Sequence, residues 1–257
     1  MTTGIAFSGG GARGIAHVGV LKALLEHGIY PDFVSGTSAG AIVAALYSAG
    51  KSIDEIMEFV RNSNNWKIFR LGLPNAGFAK LSYLRNQLDE LIGADDFGQL
   101  NIPLAIAISD LENGKLEIRE SGSLFDVIVA SASIPLVFQP VEIDGKLFVD
   151  GGVLCNLPAF PLREKADRLI GINVMPVVPA KKKTVQSFLG VSTRCFEMSI
   201  WANTRPELEI CDWIIEPSEV YRYNIFQFNK HRELFKIGYE AAMTQIETLK
   251  QAELHNM

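Results

Sequence analysis

Apolar positions along the chain keep two different periods, and the periods alternate. Short unbroken runs at Ile5-Ala6-Phe7, Phe33-Val34, Leu104 to Ile108, Leu169 to Val174 and Trp213-Ile214-Ile215 read as strands. Leu104 to Ile108 has no polar interruption, the pattern of a strand covered on both faces. Between the runs, Ile15, Val18, Leu21 and Leu25 share one face of a helix that stops at Gly28. Ala39 to Ser48 predicts a helix closed by Gly50, whose small residues Ala39, Ala41, Ala44 and Ala45 allow close packing on a sheet. Ser52-Ile53-Asp54-Glu55 is a capping-box pattern opening a helix with Ile56, Phe59 and Val60 inward. Further helices are predicted from Ser82 with Leu84, Leu88, Leu91 and Ile92, from Ser123 to Ile128, and from about His231 to Lys250. Asn113-Gly114 and Asp144-Gly145 mark hairpin turns, the first leading into Leu116 to Arg119 and the second joining Val141 to Ile143 with Leu147 to Val149. Strands alternating with helices predict an α/β fold. No repeat, low-complexity tract or linker divides residues 1–257, so one domain is expected.

Two stretches break this rhythm. Asn62 to Lys80 holds Trp66, Ile68, Phe69, Leu71, Leu73 and Phe78, punctuated by Gly72, Pro74 and Gly77. It reads either as an irregular core-packed connection or as an apolar lid beside a site. Val185 to Ile200 places Val185, Phe188, Leu189, Ser192, Phe196 and Ile200 near one helical face behind Lys181-Lys182-Lys183. It reads either as an ordinary amphipathic helix or as a surface helix that docks on anionic lipid.

Composition narrows the partners more than the fold. A formal net charge of -5 gives no electrostatic reason to expect nucleic acid. Cys155, Cys195 and Cys211 make neither a disulfide framework nor a zinc motif, so no metal site is expected. Met1 to Ile5 lacks a basic region followed by an apolar run, and the longer apolar runs fall short of the roughly 18 residues of a membrane span. The expectation is a cytoplasmic protein, with peripheral membrane contact left open. Nothing in the sequence sets an oligomeric state.

The candidate chemistry begins at Gly36-Thr37-Ser38-Ala39-Gly40, a Gly-x-Ser-x-Gly pattern between a strand and a helix. Such a turn projects the serine oxygen clear of its neighbours as a nucleophile. Upstream, Ser8-Gly9-Gly10-Gly11-Ala12-Arg13-Gly14 joins a strand to a helix and exposes backbone N–H groups at a positive helix end. The anion it fits is either a phosphate or the oxyanion of acyl transfer. No Gly-Lys-Ser/Thr follows, and the elbow favours the oxyanion, with donors from Gly10 to Ala12 and from Ala39. Downstream, Asp150-Gly151-Gly152 puts a carboxylate at a strand exit. Ser38 needs a base. Of the histidines, His17 and His27 lie in or after the first helix and His255 in a tail. His231 has the right order for a triad but sits at what reads as an exposed helix start; otherwise the base is Asp150 itself.

Taken together, Gly9 to Gly14, Gly36 to Gly40 and Asp150 to Gly152 resemble the patatin-like phospholipase family in order and kind. Ala130-Ser131-Ala132-Ser133-Ile134-Pro135, with Phe138-Gln139-Pro140-Val141, is similar to a further signature block of that family. The resemblance covers about the first two-thirds of the chain. It implies a three-layer α/β/α sandwich with a mainly parallel central sheet. It also implies lipid acyl-ester hydrolysis by a Ser–Asp dyad, with an acyl-enzyme and no metal or cofactor. Residue by residue it makes Ser38 the nucleophile, Asp150 the base, and places Gly9, Gly10, Gly11 and Arg13 around the oxyanion hole. The same acyl-enzyme also serves acyl transfer, and the same scaffold a weakly active adaptor. Beyond about residue 176 no motif guides the reading.

Overall fold

The computed structural model describes residues 1–63 and 81–255. β1 (Thr3–Phe7) leads through a 3₁₀ turn into α1 (Ile15–Glu26), and β2 (Phe33–Gly36) into α2 (Ala39–Ser48). α3 (Ile53–Ser63) and α4 (Ser82–Ile92) follow. Next come a hairpin of β3 (Leu104–Asp110) and β4 (Lys115–Arg119), α5 (Leu124–Ser131), and a second hairpin of β5 (Val141–Ile143) and β6 (Lys146–Asp150). The one-turn α6 (Phe160–Arg163), β7 (Arg168–Ile172), the long α7 (Phe188–Glu209), β8 (Trp213–Ile215) and α8 (His231–His255) complete the order. All but the first two residues of the apolar stretch Asn62 to Lys80, read as lid or core, lie outside the described residues.

The strands form one sheet in the order β5-β6-β3-β2-β1-β7-β8, with β4 also on β3. The run from β3 to β8 is parallel, while β4 and β6 are antiparallel to β3 and β5 is antiparallel to β6. Successive residues of β1 serve opposite faces, as the period of a strand requires. Ile5 and Phe7 enter the larger core with residues of α1, α2, α3, α5 and α8. Ala6 joins a smaller cluster with Leu157, Ala159, Leu162 and Leu169, against which Leu208 of α7 packs. Helices on both faces make a three-layer α/β/α sandwich.

Register along β3 decides where the strand ends meet. β4 occupies one edge of β3 from Ile106 to Asp110. The other edge is shared: β2 runs along it from Leu104 to Ile106, and β6 comes the opposite way from Asp110 to Ile108. The C-terminal ends of β2 and β6 therefore approach almost head-on, at Gly36 and Asp150, a two-residue step of about 7 Å along β3.

Local sequence explains most boundaries. Ser52 Oγ accepts from Glu55 N at 3.3 Å and the Glu55 carboxylate accepts from Ser52 N at 2.8 Å, closing the expected capping box. Asp144 and Gly145 both take positive φ (53° and 75°), the type I′ geometry that matches strand twist in a two-residue hairpin. α4 opens at Ser82, as expected. Two boundaries differ from expectation. β7 stops at Ile172 rather than Val174, because the Val174 N–H is donated to Ser8 Oγ at 2.9 Å instead of to a strand. α7 begins at Phe188, capped by Ser187 Oγ, and runs on to Glu209. The start of its expected apolar face is not buried: Phe188 is 87% exposed, whereas Ile200 is buried. Among the described residues no helix is long and apolar enough to cross a membrane.

α1 and α8 pack backbone to backbone. A Cβ on Gly19 of α1 would strike the Phe235 carbonyl of α8, and one on Gly238 of α8 would strike the Ala16 carbonyl of α1. Both contacts are with rigid backbone, so no side-chain rotation relieves them. Gly238→Ala should therefore lower unfolding stability by about 1–3 kcal/mol, read as a shift in denaturant midpoint, where a solvent-facing helical glycine would gain stability from the same change.

Candidate active site

Ser38 sits where β2 ends and α2 begins, and its backbone carries the strain of that turn. Its φ of 54° and ψ of -122° are unusual for a residue with a side chain. Gly40 permits the turn, since any Cβ there would meet the carbonyl oxygens of Phe7 and Ser8. The Ser38 N–H is donated to Ser131 Oγ at 2.8 Å, and that hydroxyl in turn donates a hydrogen bond to the Ala107 carbonyl at 2.8 Å. Two residues on, the Ser133 carbonyl accepts the Asp150 N–H at 3.0 Å. The end of α5 thus holds the backbone of both Ser38 and Asp150.

The side chains of that pair meet. The Ser38 hydroxyl donates to the Asp150 carboxyl, which also accepts from Gly152 N at 2.7 Å. Both residues are buried, Ser38 at 5% and Asp150 at 3% exposure. Burial pushes the Asp150 pKa up to about 7, and the hydrogen bonds from Ser38 and Gly152 pull only part of the way back. An ordinary aspartate, with a pKa of about 3.9, is a weak base at neutral pH; burial makes this carboxyl a stronger one.

Among the described residues no histidine partners Asp150. The His17 ring is buried against Phe7 and shares a 2.8 Å hydrogen bond from Nε2 with the Ser8 carbonyl. Burial lowers its pKa to about 4, so at neutral pH the ring is uncharged and Nε2 carries the donated proton. His27 Nδ1 bonds the Ala23 carbonyl, and His231 is the first residue of α8.

Hydrogen bonds sort the glycine-loop candidates. Gly9 N is donated to the Asn156 carbonyl at 3.0 Å, Ala12 N to Ile225 O at 2.7 Å, and Arg13 N to Gly10 O at 3.2 Å. These three amides, expected at an anion site, are spent on holding the loop's shape. Those of Gly10, Gly11 and Ala39 have no partner among the described residues. Ala39 lies at the positive end of α2. The Arg13 guanidinium is equally occupied, with Nε on Tyr223 O at 2.8 Å and Nη1 on Met175 Sδ at 3.4 Å. Its job is to tie the loop to the C-terminal segment.

One contributor gave no sequence signal. Asn203 of α7 donates from Nδ2 to the carbonyls of Gly152 (2.9 Å) and Val153 (3.2 Å), and its Oδ1 accepts from Asn156 N at 2.9 Å. It clamps the turn after Asp150, and through Asn156 it reaches Gly9. One polar residue among many in a long helix, 47 positions from its partner Asn156, has no spacing that marks it. Among the described residues no cluster of His, Cys, Asp or Glu could hold a metal ion.

Comparison with known proteins gives the chain's family, relatives and fold neighbours. The chain is 35% identical over 174 residues to an uncharacterized NTE family protein of Mycobacterium tuberculosis, covering 66% of this chain and 48% of that protein. It is 30% identical over 175 residues to lysophospholipase NTE1 of Debaryomyces hansenii, covering 66% of this chain and 11% of the fungal protein. The chain thus spans about half the length of the mycobacterial relative and a small part of the fungal one. In fold it is similar to VipD from Legionella pneumophila (TM-score 0.54, 16% identity, 96% of this chain and 67% of that one). It is also similar to human GIVD cytosolic phospholipase A2 (TM-score 0.51, 12% identity, 98% and 59%). The family model for patatin-like phospholipases matches residues 5–163, more than half of the chain, and the protein belongs to that family.

Proposed function

We propose that this chain is a serine acyl hydrolase that releases fatty acid from lipid acyl esters, phospholipid or lysophospholipid among them. The observation that carries the reading is the buried hydrogen bond between Ser38 and an Asp150 carboxyl whose pKa lies near 7. Family membership and the lysophospholipase among the relatives support the substrate class. In the first half-reaction Asp150 takes the Ser38 proton as Oγ bonds to the ester carbonyl carbon. The carbonyl oxygen becomes an oxyanion facing the free amides of Gly10, Gly11 and Ala39, each worth about 3–4 kcal/mol by analogy with single oxyanion donors. Collapse expels the alcohol, which leaves with the proton held by Asp150, and an acyl-enzyme remains on Ser38. Water then gives a proton to Asp150 and attacks the acyl carbon, freeing the fatty acid and restoring the serine.

The start of α7 supports contact with a lipid surface. Phe188 and Val191 are exposed there, beside the exposed Lys181, Lys182 and Lys183. Apolar side chains flanked by cations suit an anionic interface.

Ser38→Ala and Asp150→Asn should each cut turnover of a chromogenic acyl ester by about three orders of magnitude or more; substantial turnover in either variant refutes the dyad. His231→Ala should keep most activity.

Because Asp150 must be ionised to accept the proton, kcat/KM should rise with pH and level off above about 7. Stability runs the other way. The folded pKa is raised from 3.8 to about 7, so the fold binds this proton more tightly than the unfolded chain does. That contribution is full below about pH 4 and is lost as pH climbs to about 7, a change on the order of a few kcal/mol. Asp150→Asn should therefore gain in melting temperature relative to wild type as pH rises from about 4 to about 8. A constant difference would mean that Asp150 titrates normally.

Replacing Lys181, Lys182 and Lys183 by Glu should reduce co-sedimentation with anionic vesicles while sparing hydrolysis of a soluble ester. Unchanged sedimentation would remove α7 from the interface.

A further inference from the structure

His17 is a buried ionisable group that the reaction above leaves without a task. It lies in the first turn of α1, fully buried, with its ring edge-on to Phe7 at a centroid distance of 5.4 Å. Its Nε2 proton is donated to the Ser8 carbonyl at 2.8 Å, and burial keeps the ring uncharged at neutral pH. Nδ1 is then a bare acceptor, and among the described residues no donor meets it. A buried polar atom left in this state costs stability. Leucine or phenylalanine would pack beside Phe7 without that cost. What the imidazole supplies and they do not is the bond to Ser8.

That bond completes the fixing of Ser8. The Ser8 N–H is donated to the Ile172 carbonyl at 3.1 Å, and Ser8 Oγ accepts the Val174 N–H at 2.9 Å. Held in this way, the hydroxyl donates to the Gly9 carbonyl at 3.1 Å. The Gly9 carbonyl and the Gly10 N–H belong to one planar peptide and point in opposite directions. Whatever aims that carbonyl therefore aims the amide, and the Gly10 amide is one of the three that are free. The preceding peptide is held at both of its polar atoms, the Ser8 carbonyl by His17 and the Gly9 N–H by the Asn156 carbonyl. Glycines at 9, 10 and 11 bring no side chains to steady the loop, so its alignment falls to these bonds. The tolerance is small. A Cβ on Gly9 would lie 3.2 Å from Ser38 Cβ, and an amide tilted away from the reacting carbonyl is lost as a donor.

We propose that His17 is a positioning residue for the Gly10 amide, acting through Ser8: its bond to the Ser8 carbonyl fixes the peptide from which the Ser8 hydroxyl aligns the next one. The inference rests on the hydrolase reading above. His17 takes no proton from Ser38 in this role. Its effect falls on stabilisation of the oxyanion and leaves substrate affinity alone.

The test sets His17→Leu against His17→Gln, whose side-chain nitrogen can take the place of Nε2. In folded His17→Leu, kcat for a chromogenic ester should fall about tenfold or more while KM stays within about twofold. His17→Gln should recover most of that loss, although glutamine packs on Phe7 no better than leucine does. Equal losses in the two variants mean that the ring serves packing alone, and overturn the proposal. Ser8→Ala decides the matter if His17→Leu does not fold: kcat should drop to a similar degree, and an unchanged kcat overturns the path through Ser8. The double variant should lose little more than either single one, because both act along one chain of bonds; additive losses count against that chain. A readout free of turnover is the Gly10 amide signal in 15N–1H spectra, which should shift in His17→Leu and return in His17→Gln. If wild type hydrolyses no ester and the signal still behaves in this way, the hydrolase reading fails and the positioning stands. A Gly10 signal unmoved in folded His17→Leu overturns the positioning whatever the turnover.

Discussion

The arrangement of this protein depends on a shared strand edge. β2 and β6 run towards each other along the same side of β3, and their C-terminal ends meet. A purely parallel sheet could not do this, because its strand ends all point one way. The antiparallel approach of β6 brings a carboxylate into the sheet plane, facing the residue that leaves β2. The price is a buried acid, and burial is what raises its proton affinity. Geometry and basicity thus have one cause.

The parts of the site were more legible in the sequence than their assembly. Gly36 to Gly40, the glycine loop and Asp150-Gly151-Gly152 each carry local signals, because a strained turn, a close backbone approach and a tight strand exit restrict residue type. The pairing of β6 with β3 carries no such signal, since Leu147-Phe148-Val149 suits either direction. Nor could the sequence say which loop amides are free. That depends on the carbonyls of Asn156 and Ile225, which come from distant segments. Arg13 shows the same limit: the resemblance puts it around the oxyanion hole, and the structure gives its guanidinium a carbonyl and a thioether as partners. The strands and most helices were readable from periodicity. The start of α7 was not, because its apolar residues there face outward.

Segments beyond the shared family motifs hold the site together. Tyr223 and Ile225 receive the loop's donors, and Asn203 fastens the turn after Asp150. The last third of the chain therefore helps to support the candidate site. Because Asn203 lies on the same helix as Phe188, one element connects an exposed apolar end to the turn that follows Asp150.

The glycine crossing of α1 and α8 also bears on how the molecule forms. α1 follows directly from the glycine loop, and its backbone partner lies some two hundred residues later in the chain. Contacts of such separation close late, because the entropy of the intervening chain must be lost first. The hydrogen bond from the Ala12 amide to Ile225 likewise forms only once the segment before α8 is in place. A nascent or truncated chain would carry the serine without a finished site, which ties reactivity to the completion of folding.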